Sequence, residues 1–283
     1  MGFEVYELIM VHISLQPEIL GHILGFPITN SFILSLLTAI ILIGVGVFVA
    51  KSLRFIPNRL QNIVELIIEG LLGFMTQVLG DAKLARKFFP LIATIFLFIL
   101  VNNWIGVLPG TGSIGFYENE NAHVLESPEG TDAHEEIEPQ PLEEKEESHG
   151  QFVPFFRAAN SDLNTTLALA FVAMGAIQMY GIAKLGFFAH IGKFIILTKG
   201  PIYFFVGLLE LIGEFAKIFS FSFRLFGNIF AGEVLLVIIM TLVPVIIPIP
   251  FLFLEFFVGF IQALVFSMLT LIFLKVATTE VEH

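Results

Sequence analysis

Residues 220–233 read Ser220-Phe-Ser-Phe-Arg224-Leu-Phe-Gly-Asn228-Ile-Phe-Ala231-Gly232-Glu233, which sets an arginine and a carboxylate inside an apolar run far too long for a soluble helix. From Pro201 to Val243 only five residues are charged: Glu210, Glu214, Lys217, Arg224 and Glu233. An ion at the centre of a bilayer costs about 2.5 to 3.5 kcal/mol on insertion scales, so such residues face protein or water and mark an ion path. Arg224, deep in the run, is the first candidate. Glu210, Lys217, Arg224 and Ala231 recur every seven residues and share one helical face, with Glu214 and Asn228 flanking the stripe. Glu233 stands nine residues from Arg224, about 900° of helical rotation, and so points to nearly the opposite side. One helix thus offers Arg224 to one neighbour and Glu233 to another. Glu210 and Lys217 are also open to a plainer reading, in which they pair near helix ends or snorkel to the interface.

Composition sets the class. With 56% hydrophobic and 14% charged residues over 283 positions, the chain holds more apolar matter than a soluble core can use. No cysteine is present, which excludes disulfides and thiolate metal sites. The net charge of −11 is local in origin: residues 118–147 hold twelve Asp or Glu against one Lys. No basic stripe remains to meet phosphates, so nucleic acid is not expected as a partner. The acidic start with Glu4 and Glu7 does not resemble a cleavable signal.

The expected fold class is an all-α polytopic membrane protein: five transmembrane helices, one cytoplasmic amphipathic helix, and a long oblique hairpin formed by the last two helices. Residues 1–30 read as an outer interfacial leader, broken by Pro17 and Pro27. Residues 31–109 hold two spans, Ser31 to Ala50 and Phe88 to Leu108, separated by an amphipathic stretch from Asn58 to Leu79 with Asn62, Glu65 and Glu69 on its polar edge. Residues 110–160 form an outer loop whose acidic core has the composition of a disordered segment. His123, His134 and His149 in it match no metal-ligand spacing.

Residues 161–283 form the ion-translocating core. Its first span, Asp162 to Ala183, starts with Ser161, Asp162, Asn164, Thr165 and Thr166, which either cap the helix or line a wet vestibule. Pro201 to Val243 as one helix is about 65 Å long, twice the hydrocarbon thickness, and must lie obliquely or break. Pro244, Pro248 and Pro250 read as the turn into a last helix from Phe251 to Ala277, on which Glu255 and Gln262 share a face. Lys51, Arg54, Arg59, Lys83, Arg86, Lys87, Lys184, Lys193, Lys199 and Lys275 fall in segments read as inner, against Lys145 and Arg157 outside. That bias sets the amino terminus outside and the carboxyl terminus in the cytoplasm.

Ser220, Arg224-Leu225-Phe226-Gly227-Asn228 and Ala231-Gly232-Glu233 resemble the signature of subunit a of the F-type rotary ATP synthase, and the likeness covers nearly the whole hydrophobic chain. The resemblance implies a stator subunit with no catalysis or cofactor of its own, whose partners are a c-subunit ring, b-type peripheral stalk subunits, the catalytic head through the stalks, and the lipid bilayer. It implies an energy-coupling membrane, most simply a bacterial plasma membrane. Arg224 then matches the fixed arginine that rotor carboxylates pass. Glu233, Glu255, Gln262 and Asn228 match outer half-channel positions, Asp162 and Asn164 are entrance candidates, and Glu210 matches an inner-path position with Glu214 beside it. Some members carry histidine where Glu255 stands, so the outer path here holds a pair of carboxylates. The position of Ile218 is often proline in the family, an effect on local helix shape alone. The rival reading is a stand-alone cation channel or transporter, which calls for an inverted repeat or a complete pore that the sequence does not display.

Overall fold

The computed structural model describes residues 17–23, 25–52, 58–108, 111, 114–118, 151–187, 201–243 and 246–279. The start of the leader, Arg54, the core of the acidic loop, and Lys193 and Lys199 lie outside the described residues. Among the described residues six α-helices carry the fold: α1 (Asn30–Ser52), α2 (Arg59–Leu79), α3 (Ala82–Val107), α4 (Leu163–Leu185), α5 (Pro201–Leu242) and α6 (Pro248–Thr278). Two short antiparallel hairpins join them, β1 (Ile19–Ile23) with β2 (Phe26–Thr29), and β3 (Gly115–Glu118) with β4 (Gln151–Pro154).

All six helices are long and apolar enough to cross a membrane, α2 being the least apolar of them. The five-span count with one surface helix is therefore a finer division than length and composition make. Exposed large hydrophobic side chains line the outsides of α1, α5 and α6, as lipid-facing or subunit-facing helices require.

The centre is built by α3, α4 and α6. Phe88, Ile92 and Ile99 of α3 are fully buried with Leu271 and Leu274 of α6 and Leu225 of α5. Edge-on aromatic contacts tie the helices: Phe88 to Tyr180 at 5.6 Å, Phe96 to Phe260 at 6.1 Å and Phe221 to Phe266 at 4.9 Å between ring centroids. The 42-residue α5 packs along α4 and α6 and spans about 63 Å. α1 touches the body through α3 and through a buried 3-10 turn, Ala159–Ser161, and α2 packs on α3 and the end of α6. There Lys275 Nζ donates to the Leu79 carbonyl at 2.9 Å, meeting an oxygen that the end of α2 leaves free.

Three boundaries differ from the sequence reading. α6 begins at Pro248, so Pro248 and Pro250 sit in its first turn and not in a connecting turn. Proline lacks the N–H that the first helical turn leaves unpaired, so it is tolerated there. α3 begins six residues before Phe88, because Asp81 caps it by accepting from the Lys83 backbone N–H at 2.8 Å. The third difference is the loop 110–160, whose two ends are ordered. β3 pairs with β4, the Phe155 N–H donates to the Ile114 carbonyl at 2.9 Å, and Ala158, Ala159, Asn160 and Ser161 are buried.

Candidate functional site

Helix α5 carries two different chemical surfaces. On one, Ser220, Arg224 and Asn228 are all exposed, with Phe219, Phe223 and Gly227 between them. The Arg224 guanidinium reaches back one turn to Ser220 Oγ at 3.5 Å, and no carboxylate pairs with it among the described residues. Glu210 is exposed on the same stripe, two turns and more toward the amino end. Opposite lies the covered side. There Gln262 of α6 donates from Nε2 to the Arg224 carbonyl at 3.4 Å, which ties the two arms of the hairpin at the level of the arginine.

Toward the outer end of the hairpin, Gly232 and Glu233 turn inward. A Cβ built on Gly232 would overlap the Glu255 carboxylate of α6, so glycine there is what lets the carboxylate lie against the α5 backbone. Glu255 is 7% exposed, and its carboxylate feels the charge of Glu233. The two carboxylates expected from the sequence are thus brought together. A third ion joins them: Arg157 Nε lies 3.5 Å from Glu233 Oε1, with the arginine side chain 10% exposed. The sequence reading placed Arg157 in an outer loop and gave it no role. Its signal was its position, since it is the only Lys or Arg other than Lys145 in segments read as outer, five residues before Asp162.

Parts of α1, α3 and α6 and the 3-10 turn enclose a set of buried amides. Thr38 Oγ1 donates to Asn102 Oδ1 at 2.9 Å; Asn160 Nδ2 donates to Asn103 Oδ1 at 2.6 Å; Asn103 Nδ2 donates to the Gly259 carbonyl at 3.0 Å. Thr166 and Ser222 hydroxyls meet at 3.0 Å between α4 and α5. Buried polar atoms favour one arrangement when paired, and the asparagine bonds tie α1, α3, α6 and the 3-10 turn together, although Asn102 Nδ2 and Asn160 Oδ1 are buried without a partner among the described residues. Asp162 is the α4 cap: its carboxylate accepts from the Asn164 N–H at 2.9 Å and from Thr165 Oγ1 at 3.2 Å, with 5% exposure. Asn164 is exposed beside it. The cap geometry accounts for the hydrogen bonds of the Asp162 carboxylate.

At the other end of α5 the geometry separates Glu210 from Glu214. Glu214 Oε2 accepts from Gln178 of α4 at 2.9 Å and Oε1 from Lys217 at 2.6 Å, while Lys217 also lies over the Phe273 ring at 4.7 Å. Beside them a cavity of about 300 Å³ opens between α4 and α5, lined by Phe171, Met174, Gln178, Leu211, Glu214 and Phe215 among others. Gln178 is a second residue the sequence did not single out, because one glutamine in an apolar span carries no pattern.

Comparison with known proteins gives the family of the chain. The family model described as ATP synthase A chain matches residues 32–275. The ATP synthase subunit a of Campylobacter concisus is 32% identical over 251 residues, covering 87% of this chain and 89% of the relative. That of Campylobacter hominis is 30% identical over 266 residues, covering 93% and 96%. The subunit of Campylobacter curvus is 31% identical over 249 residues, covering 87% and 89%. With a match that runs from the first apolar helix to the last, this multi-pass membrane protein belongs to the ATP synthase A chain family.

Proposed function

We propose that the chain is the stator of a rotary proton channel, in which Arg224 faces a ring of rotor subunits and two offset half-channels lead to it from opposite sides of the membrane. The observation that carries the reading is the exposure of Arg224 on a stripe with Ser220 and Asn228, at the middle of a helix too apolar to stand in water. An unscreened guanidinium in that place needs a carboxylate from another chain. Guanidinium stays charged at any relevant pH, so it holds a passing carboxylate as an anion without conducting the proton itself. It also blocks a protonated rotor site from slipping directly between the two paths.

The outer path runs through Glu233, Glu255 and Gln262, with Asn228 at the rotor face and Asp162 and Asn164 at the entrance. The inner path runs past Glu210, with Glu214 and its cavity alongside. Five helices span and α2 lies on the cytoplasmic surface, a division supported by its lower apolarity and by Glu65 and Glu69 on one edge. The amino terminus is outside and the carboxyl terminus cytoplasmic. Partners are the c-ring, peripheral stalk subunits and, through them, a catalytic head where ATP is made or hydrolysed. The stand-alone channel has no observation in its favour.

The test is ATP-driven acidification of inverted vesicles containing the whole complex. Arg224→Ala at unchanged assembly abolishes coupled pumping on this reading. Normal pumping by that variant, or ion conduction by the purified chain alone, would overturn it.

A further inference from the structure

Arg157 comes from a loop that is tied to the rest of the fold on both sides. On its amino side β4 is paired to β3, and the Pro154 carbonyl accepts from Asn30 Nδ2 of α1 at 3.4 Å. On its carboxyl side Ala158 packs on Gly106 of α3, where an added Cβ would come within 2.7 Å of the alanine Cβ. The clamped strap carries the guanidinium out of water and against Glu233. Burying an ion is costly unless it is paired, so an arginine drawn into this position stands there for its charge.

Among the described residues the charged groups around it come from three elements: Arg157 from the strap, Glu233 from α5 and Glu255 from α6. α3 contributes only the neutral Asn102 and Asn103, and Asp162 is engaged at the amino end of α4. The cluster therefore contains two carboxylates and one permanent cation. We propose that Arg157 is a positioning residue of the outer path: it compensates one carboxylate of the pair, so the cluster takes up and releases a single proton per rotor site. This rests on the stator reading above. In each transfer one O–H bond forms on the cluster as a proton arrives from outer water, and that bond breaks as the proton passes to the rotor carboxylate. Arg157 keeps its own protons throughout.

The experiment uses the assembled complex in inverted vesicles, with pumping normalised to complex present. Arg157→Met is expected to lower coupled proton flux by about tenfold or more, less than the roughly hundredfold at the low end of what an acid–base group itself contributes, and Arg157→Lys to retain flux within about threefold of wild type. The decisive variant is Arg157→Met with Glu233→Gln, which removes the cation together with the charge it compensates. It is expected to pump better than Arg157→Met alone, an improvement that a merely structural arginine would not produce. A double variant no better than Arg157→Met, or an Arg157→Met complex that pumps as wild type, overturns the proposal. Arg224→Ala separates the two readings: if it pumps normally the stator reading itself has failed, and if it does not, a wild-type Arg157→Met result sinks the present inference only.

Discussion

The two faces of α5 differ in one respect that governs everything else about them. Arg224, with Ser220 and Asn228, sits on the exposed face with no acidic partner among the described residues. Less than three turns away, Gly232 is buried against Glu255 of α6, and Glu233, partly exposed, pairs with Arg157 of the strap. An ion on the first face is completed by another molecule, and an ion on the second is completed within the chain. Substitutions on the exposed face should therefore abolish coupling with little effect on folding, whereas those on the covered face should disturb packing and proton access together.

The largest effect belongs to the exposed face. Arg224→Ala is expected to remove coupled pumping altogether while the amount of assembled complex stays normal; loss of assembly in parallel would erase the contrast. Next comes Gly232→Ala, whose methyl group would occupy the space of the Glu255 carboxylate. Overpacking costs about 1–3 kcal/mol, and the displaced carboxylate should lower flux by at least about tenfold. Pumping and detergent melting measured on the same preparation check both halves of that expectation.

A smaller and purely structural effect is expected from Asn103→Ala. It removes the bonds to Gly259 and Asn160 and strands buried partners, a loss of about 1–3 kcal/mol visible as a lower melting temperature. Unchanged melting would show that the buried amides do not tie α1, α3, α6 and the 3-10 turn together. The smallest effect is at Lys145 in the acidic loop, where alanine should leave pumping within about twofold, since exposed charges in a segment of that composition are expected to contribute little. A large loss there would connect the loop to the covered face.

The two faces also differ in how far the sequence revealed them. Arg224, with Asn228 flanking its stripe, was legible because heptad spacing on a long apolar helix needs only the periodicity of one element, whereas Ser220 entered only through the family resemblance. Glu233 was legible as pointing away from Arg224 by the same arithmetic. What Glu233 meets was not, because Arg157 approaches from a segment 76 residues earlier, and loop composition says nothing about where a strap is clamped. Asp162 shows the opposite case: the local pattern offered a cap or a vestibule, and the cap geometry is what the backbone adopts.

The sequence by itself determined that the chain is an all-helical membrane protein, where most of its helices run, and that an arginine and several carboxylates lie within the apolar zone. Hydropathy and helical period are properties of neighbouring residues, so they survive without knowledge of the fold. Only the tertiary structure decided which charges meet. It brought Glu255 onto Gly232, Arg157 onto Glu233, Gln178 onto Glu214 and Asn103 between Asn160 and Gly259. Those pairings depend on helix rotation and on the path of the chain between helices, and on the rule that a buried polar group must find a partner.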